Sequence, residues 1–119
     1  NQVTLGGHVN ILDNVVIGGL SAVIQFVTIG SYSMIGGMSG IDKNVLPFSL
    51  AVGNRAKLRG LNLVGIRRNN FTKEELNKIN DLHNNFIDKD IDLSMNNKVE
   101  NIFQQYKSIL NEKLGHIQK

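Results

Sequence analysis

An isoleucine, leucine or valine stands at every sixth position from the start of this chain: Leu5, Ile11, Ile17, Val23, Ile29, Ile35 and Ile41. Neither a 3.6-residue helix nor a period-2 strand keeps residues i and i+6 equivalent over so many repeats. A parallel β-helix of hexapeptides does, with each such residue on an inner edge. A second column, four residues after the first, holds Val9, Val15, Ser21, Val27, Ser33, Ser39 and Val45. Small and β-branched residues of this kind suit the inward side of short strands. Gly6, Gly18, Gly30 and Gly36 are expected to supply the backbone angles that sharp corners need. If three hexads make a coil, coils stack at about 4.8 Å, and the hexads present fill a little over two of them.

Pro47 interrupts the hexads, because proline cannot donate to a ladder and restricts its predecessor. Residues 1–46 therefore read as β-helix coils, and residues 47–71 as a last irregular coil with a connecting loop. Residues 72–119 read as a helical domain. Thr72 with Glu75 three residues on forms a capping box. Leu76, Ile79, Leu82, Phe86 and Ile87 then make one apolar stripe to about Asp88. After an acidic, turn-rich connection, Val99, Ile102, Phe103, Tyr106, Ile109, Leu110, Leu114 and Ile117 make a second and longer stripe. Two such helices cannot form a core alone, so they must lie on the coils, on each other or on a neighbouring subunit. The expected class is mainly β with an α-helical tail.

The first residue is Asn1, the hexads are in register by Leu5, and nothing before Leu5 looks like a cap. The chain thus reads as a C-terminal piece of a coil stack, since solenoids are normally capped. It has no cysteine, which removes disulfides and thiolate metal sites and is compatible with a reducing cytoplasm. No long apolar run or signal-peptide pattern is present, so a soluble, cytoplasmic product is the default expectation.

The net charge of +3 is unevenly spread. Lys43, Arg55, Lys57, Arg59, Arg67 and Arg68 fall within positions 43–71, where there is no acidic residue, whereas the remainder to the C-terminus is near balance. Such a stretch is either a solvated loop surface or a site for phosphate-bearing ligands or an acidic partner.

Four blocks carry a resemblance: Asn1 to Val9 (NQVTLGGHV), Ile17 to Val23 (IGGLSAV), Met34 to Gly40 (MIGGMSG) and Gly60 to Arg68 (GLNLVGIRR). They resemble the C-terminal half of the UDP-N-acetylglucosamine O-acyltransferases that open lipid A synthesis, ungapped from Asn1 to Phe71 and more loosely through the helices. The resemblance implies a left-handed parallel β-helix followed by a C-terminal helical domain, and a homotrimer with active sites between subunits. It implies transfer of a 3-hydroxyacyl chain from acyl carrier protein to the 3-hydroxyl of UDP-N-acetylglucosamine, with no cofactor and no nucleic-acid partner. In such a site a histidine is the general base and a backbone N–H stabilises the oxyanion.

By this resemblance the oxyanion donor is Gly7, and His8 is the second family histidine, a substrate contact. The general base lies one coil earlier, about nineteen residues before His8 and outside this chain, so the chain alone is expected to be inactive. Gln25 matches a glutamine near the sugar, although Ile24 replaces the usual histidine before it. Asn62 and Arg68 match the nucleotide side, with Val64 in place of an acidic residue and Asn69 in place of a second arginine; Arg67 is a substitute cation. Gly37 matches a position that helps set acyl length, and it reads equally well as a plain hexad corner. Arg55 replaces a histidine at the end of the acyl channel.

Other readings set different demands. A γ-type carbonic anhydrase shares the trimeric coils but needs three histidines for zinc, and only His8 lies in the hexads. His83 and His116 have no partner spacing that suggests a metal and are assigned to helix surfaces or packing. The later lipid A N-acyltransferase shares the coils but not the Gly60 to Gly65 loop or the tail. A non-catalytic trimerisation or scaffold module would lack a histidine in the preceding coil.

Overall fold

The computed structural model describes residues 2–88 and 97–119. Seven two-residue strands follow one another at the hexad spacing: β1 (Thr4–Leu5), β2 (Asn10–Ile11), β3 (Val16–Ile17), β4 (Ala22–Val23), β5 (Thr28–Ile29), β6 (Met34–Ile35) and β7 (Gly40–Ile41). The first four each pair in parallel with the strand three hexads later, Leu5 with Val23 and Val23 with Ile41, Ile11 with Ile29, Ile17 with Ile35. Three hexads therefore make one coil of a three-sided prism. The second residue of each strand points inward, and burial deepens along the axis. Leu5 and Ile11 are 48% and 38% exposed because no described rung stacks on their open side, whereas Ile29, Ile35 and Ile41 are fully buried.

The corners differ from expectation. The left-handed backbone conformation falls on Gln2, His8, Asn14, Leu20, Phe26, Tyr32 and Met38, with φ between +53° and +68°, and not on the glycines of the hexads. Each such residue bears a strain of roughly 1–2 kcal/mol. Three of them are held there by a hydrogen bond to the corner below: Phe26 N–H donates to Gly7 O (3.0 Å), Tyr32 to Asp13 O (2.9 Å) and Met38 to Gly19 O (2.9 Å). The glycines serve a different purpose, close approach between rungs. A Cβ on Gly6, Gly18 or Gly30 would lie 2.5, 2.4 or 2.4 Å from the backbone nitrogen of Gln25, Gly37 or Pro47.

Past β7 the register shortens. Met34 pairs with Leu50 and Ile35 with Ala51 in β8 (Ser49–Val52), which then pairs antiparallel with β9 (Lys57–Leu61). A short helix, α1 (Leu63–Arg68), follows at once. The segment read as an irregular coil and loop is thus largely ordered into β8, β9 and α1.

Helix α2 (Lys73–Asp88) begins with the capping box in both directions: Thr72 N–H donates to Glu75 Oε1 (2.8 Å) and Glu75 N–H to Thr72 Oγ1 (3.0 Å). Helix α3 (Lys98–Ile109) starts from Asn97, whose Oδ1 accepts from Glu100 N–H at 2.9 Å. The acidic connection between them, residues 89–96, lies outside the described residues.

The second stripe does not run on to Ile117 as one helix. Leu110 turns extended (ψ 150°), a short 3-10 turn covers Glu112–Leu114, and the tail pairs with the solenoid through Asn44 N–H to Gly115 O (3.0 Å) and Ile117 N–H to Asn44 O (3.0 Å). The buried Asn44 side chain also donates to Asn111 O (2.8 Å), so it ends the helix by capturing the chain that leaves it. Ile117 consequently joins the inner core of the prism. His116 is therefore in the extended tail, not on a helix. A second core forms where Phe48, Tyr32 and Phe71 meet Ile66 of α1, Ile79 and Leu82 of α2, and Val99 and Phe103 of α3. Among the described residues no helix is long and apolar enough to cross a membrane.

Candidate functional site

The three edges of the prism carry different candidates. The first edge, between β1 and β2 and between β4 and β5, holds Gly7 and His8 in one rung and Gln25 and Phe26 in the next. All four are exposed. A Cβ on Gly7 would meet nothing within 4 Å, in contrast to its neighbour Gly6. Gly7 has no positive φ either, so none of the described residues requires a glycine there. Its N–H has no hydrogen-bond acceptor among the described residues, whereas its carbonyl is taken by Phe26. The His8 ring lies parallel to that of Phe26, with centroids 5.3 Å apart and planes within 4°.

The second edge, between β2 and β3 and between β5 and β6, is covered by the helices. Asn62 is buried here and both ends of its amide are engaged: Nδ2 donates to Tyr32 O (2.9 Å) and Oδ1 accepts from Gly65 N–H (3.1 Å). This side chain caps α1 and ties it to the solenoid. Arg67 and Arg68 occupy the last turn of α1, exposed, and neither has an ion-pair partner among the described residues.

The third edge, between β3 and β4 and between β6 and β7, holds Gly37, and Arg55 lies on the same edge beyond β8. A Cβ on Gly37 would make only an ordinary contact, 3.4 Å from Gly19 O. Beside this edge runs an open groove of about 610 Å³ along the outer face of β4 and β7. Its floor is small, Ala22 and Gly40; Leu20, Met38 and Ile24 are its exposed apolar walls. Arg55 borders it with Asp42, the two side chains paired at 3.8 Å. A floor of small residues between aliphatic walls, with the Asn54 side chain against Gly40, leaves room for a narrow chain.

One copy of the chain therefore joins Gly7, His8 and Gln25 on one edge, and leaves Asn62 with Arg68, and Gly37 with Arg55, on the other two. The sequence reading missed Asp42 as the partner of Arg55, and Phe26 as the partner of His8. The second was open to discovery, because residues three hexads apart share a corner. Of the remaining histidines, His83 is buried and His116 half-buried, among helices and tail. Burial, with Lys119 adding to it, lowers His83 to about 4; burial also lowers His116.

Comparison with known proteins agrees with this architecture. A family model described as UDP-N-acetylglucosamine O-acyltransferase, domain 2, matches residues 44–117. The acyl-[acyl-carrier-protein]–UDP-N-acetylglucosamine O-acyltransferase of Nautilia profundicola is 53% identical over 76 residues, which cover 64% of this chain and 29% of that protein. The protein of the same name from Campylobacter concisus is 49% identical over 79 residues, 66% of this chain and 30% of its own length. Among solved structures, the UDP-N-acetylglucosamine acyltransferase of Campylobacter jejuni superposes with a TM-score of 0.81 at 31% identity, covering all of this chain and 49% of its own. The Arabidopsis UDP-N-acetylglucosamine acyltransferase gives 0.78 at 30% identity, covering all of this chain and 47% of its own. The chain thus spans less than a third of the curated relatives it matches. With these likenesses the coils are those of a left-handed parallel β-helix.

Proposed function

The chain belongs to the UDP-N-acetylglucosamine O-acyltransferase family, and from that premise we propose that the whole protein moves a 3-hydroxyacyl chain from acyl carrier protein to the 3-hydroxyl of UDP-N-acetylglucosamine, the first step of lipid A synthesis. The observation that carries this reading is the open space at Gly7, beside the exposed His8 and Gln25 on one edge. A glycine with no internal reason to be one leaves its N–H free to meet the thioester carbonyl as negative charge develops on its oxygen. His8 and Gln25 contact the sugar, and a histidine one coil upstream of His8 removes the hydroxyl proton.

Arg68 takes the nucleotide phosphate, and Asn62 sets the start of the helix that presents it. The acyl chain lies in the groove beside Gly37, whose lack of a side chain keeps that path open, and Arg55 with Asp42 borders it. These three sets of residues sit on separate edges, so the complete site needs a second copy laid edge to face against the first. A homotrimer meets that need at every edge. In this reading residues 1–46 are the coils, 47–71 the join, and 72–119 a helical domain, and the protein works in the cytoplasm. The names borne by the relatives favour O-acylation over the later N-acylation. The test is transfer by the full-length protein from a 3-hydroxyacyl carrier protein, with UDP-N-acetylglucosamine as the offered acceptor. An acylated sugar nucleotide is expected; transfer only to an amino-sugar nucleotide, or none at all, overturns the reading.

A further inference from the structure

Residues at the same corner of successive rungs share the same left-handed conformation, so their side chains leave the backbone in parallel, one rung spacing apart. Two aromatic stacks result. Tyr32 and Phe48 lie with centroids 5.3 Å apart and planes within 4°, and His8 and Phe26 have the same separation and the same angle. Their surroundings differ. Phe71 meets the first stack edge-on and Phe103 leans on it, and Phe48 is fully buried. That stack is core. Among the described residues no third ring covers the second, and Phe26 stays 43% exposed. A large apolar ring left in water gains little for the fold from its position.

What the open stack does is confine the imidazole. The second torsion of a histidine is broad and roughly two-fold when nothing restrains it, and His8 makes no hydrogen bond to any described residue. The Phe26 face removes that freedom by stacking on one side of the ring, and it leaves the imidazole exposed. Gly7 in the same rung and Gln25 in the next share this edge, so the confined ring belongs to the same exposed corner as the free Gly7 N–H.

We infer that Phe26 is a positioning residue for acyl transfer, stacking on His8 to hold its imidazole in the one orientation that meets the sugar nucleotide. The inference rests on the proposed reading of His8 as a substrate contact. It acts through His8 alone, which separates it from a packing role.

The experiment compares full-length wild type with Phe26→Leu, Phe26→Tyr, His8→Ala and the His8→Ala/Phe26→Leu double variant, with kcat and KM for UDP-N-acetylglucosamine measured separately. The stacking energy of an aromatic pair corresponds to a factor of about 2 to 10. Phe26→Leu is therefore expected to raise KM for the sugar nucleotide by that factor, and Phe26→Tyr to restore it. In the His8→Ala background Phe26→Leu should add nothing. In the NMR spectrum the His8 ring protons should lie upfield in wild type and move downfield in Phe26→Leu. An equal loss with and without His8, a failed rescue by tyrosine, or a collapse of folding in Phe26→Leu each overturns the inference while wild-type transfer stands. A wild type that acylates no sugar nucleotide overturns the parent reading, and the inference with it.

Discussion

Ser49 Oγ and His83 Nε2 lie 2.9 Å apart in a buried contact that joins strand β8 of the solenoid to helix α2. Burial, with Lys119 secondary, lowers His83 from 6.5 to about 4, so the folded protein holds it neutral. The unfolded chain binds a proton there at higher pH than the folded one does. Stability from this site is thus complete above about pH 6.5 and falls as pH drops towards 4, by about 3 kcal/mol at most. His116, lowered by burial as well, acts in the same direction. Urea titrations at steps between pH 7.5 and 4 are expected to show this decline, and His83→Gln should flatten it to the residue left by His116. A slope identical in His83→Gln would refute the assignment.

Two neighbouring glycines make a matched pair. Gly6→Ala places a Cβ 2.5 Å from Gln25 N, against backbone that cannot yield, and a loss of roughly 1–3 kcal/mol is expected. Gly7→Ala meets nothing within 4 Å, so its thermal midpoint should match wild type. Its transfer rate should nevertheless fall, because the methyl group stands where the thioester must approach. Thermal melts and single-turnover assays on full-length protein separate the two effects. Equal destabilisation by both substitutions would contradict the geometry, and undiminished transfer in Gly7→Ala would remove it from the oxyanion site.

The inner column from Leu5 to Ile41 was legible because one-dimensional spacing fully determines a solenoid rung. The Thr72–Glu75 box was legible for the same reason, being a local pattern. The corners were misread: glycine suggested conformational freedom, yet the left-handed angle fell on Phe26, Tyr32 and Met38, whose N–H groups donate to carbonyls of the rung below. Composition cannot report a conformation imposed by a neighbour eighteen residues away in register. Helix α1 was hidden because its cap, Asn62, is secured by Tyr32 O from another rung. The end of α3 depended on Asn44, far upstream, seizing the Asn111 carbonyl. In the site, the first edge was readable from its Gly-Gly-His block, but the division of candidates among three edges follows only from folding the register.

Glu100 is the most deeply buried carboxylate described, 2% exposed. Lys78 reaches its Oε1 at 3.1 Å and Asn97 Nδ2 donates to the same oxygen at 2.9 Å, while Oε2 has no partner. Removing the cation leaves a buried charge poorly compensated, so Lys78→Ala should cost about 1–3 kcal/mol. Glu100→Gln abolishes that charge and keeps an acceptor for Asn97. The double variant Lys78→Ala/Glu100→Gln should therefore be more stable than Lys78→Ala alone. Chemical denaturation of the single and double variants checks the order; strict additivity would show that Lys78 and Glu100 do not interact.

Arg68 projects from the last turn of α1 with no ion-pair partner among the described residues, and Arg67 adjoins it. A guanidinium in this state is free to make charge-assisted hydrogen bonds to a phosphate. Arg68→Ala should weaken UDP-N-acetylglucosamine binding about 10- to 100-fold, with stability unchanged within about 0.5 kcal/mol, as expected for an exposed residue. The loss should shrink as salt rises, since the contact is electrostatic. Arg68→Lys should recover part of it, keeping the charge but not the planar fork. Arg67→Ala decides how the two arginines share the ligand: if Arg67 compensates, the double variant loses more than Arg68→Ala alone. Calorimetric titration of full-length protein reads all of these, and an unchanged affinity in both single variants and in the double variant would take α1 out of the nucleotide site.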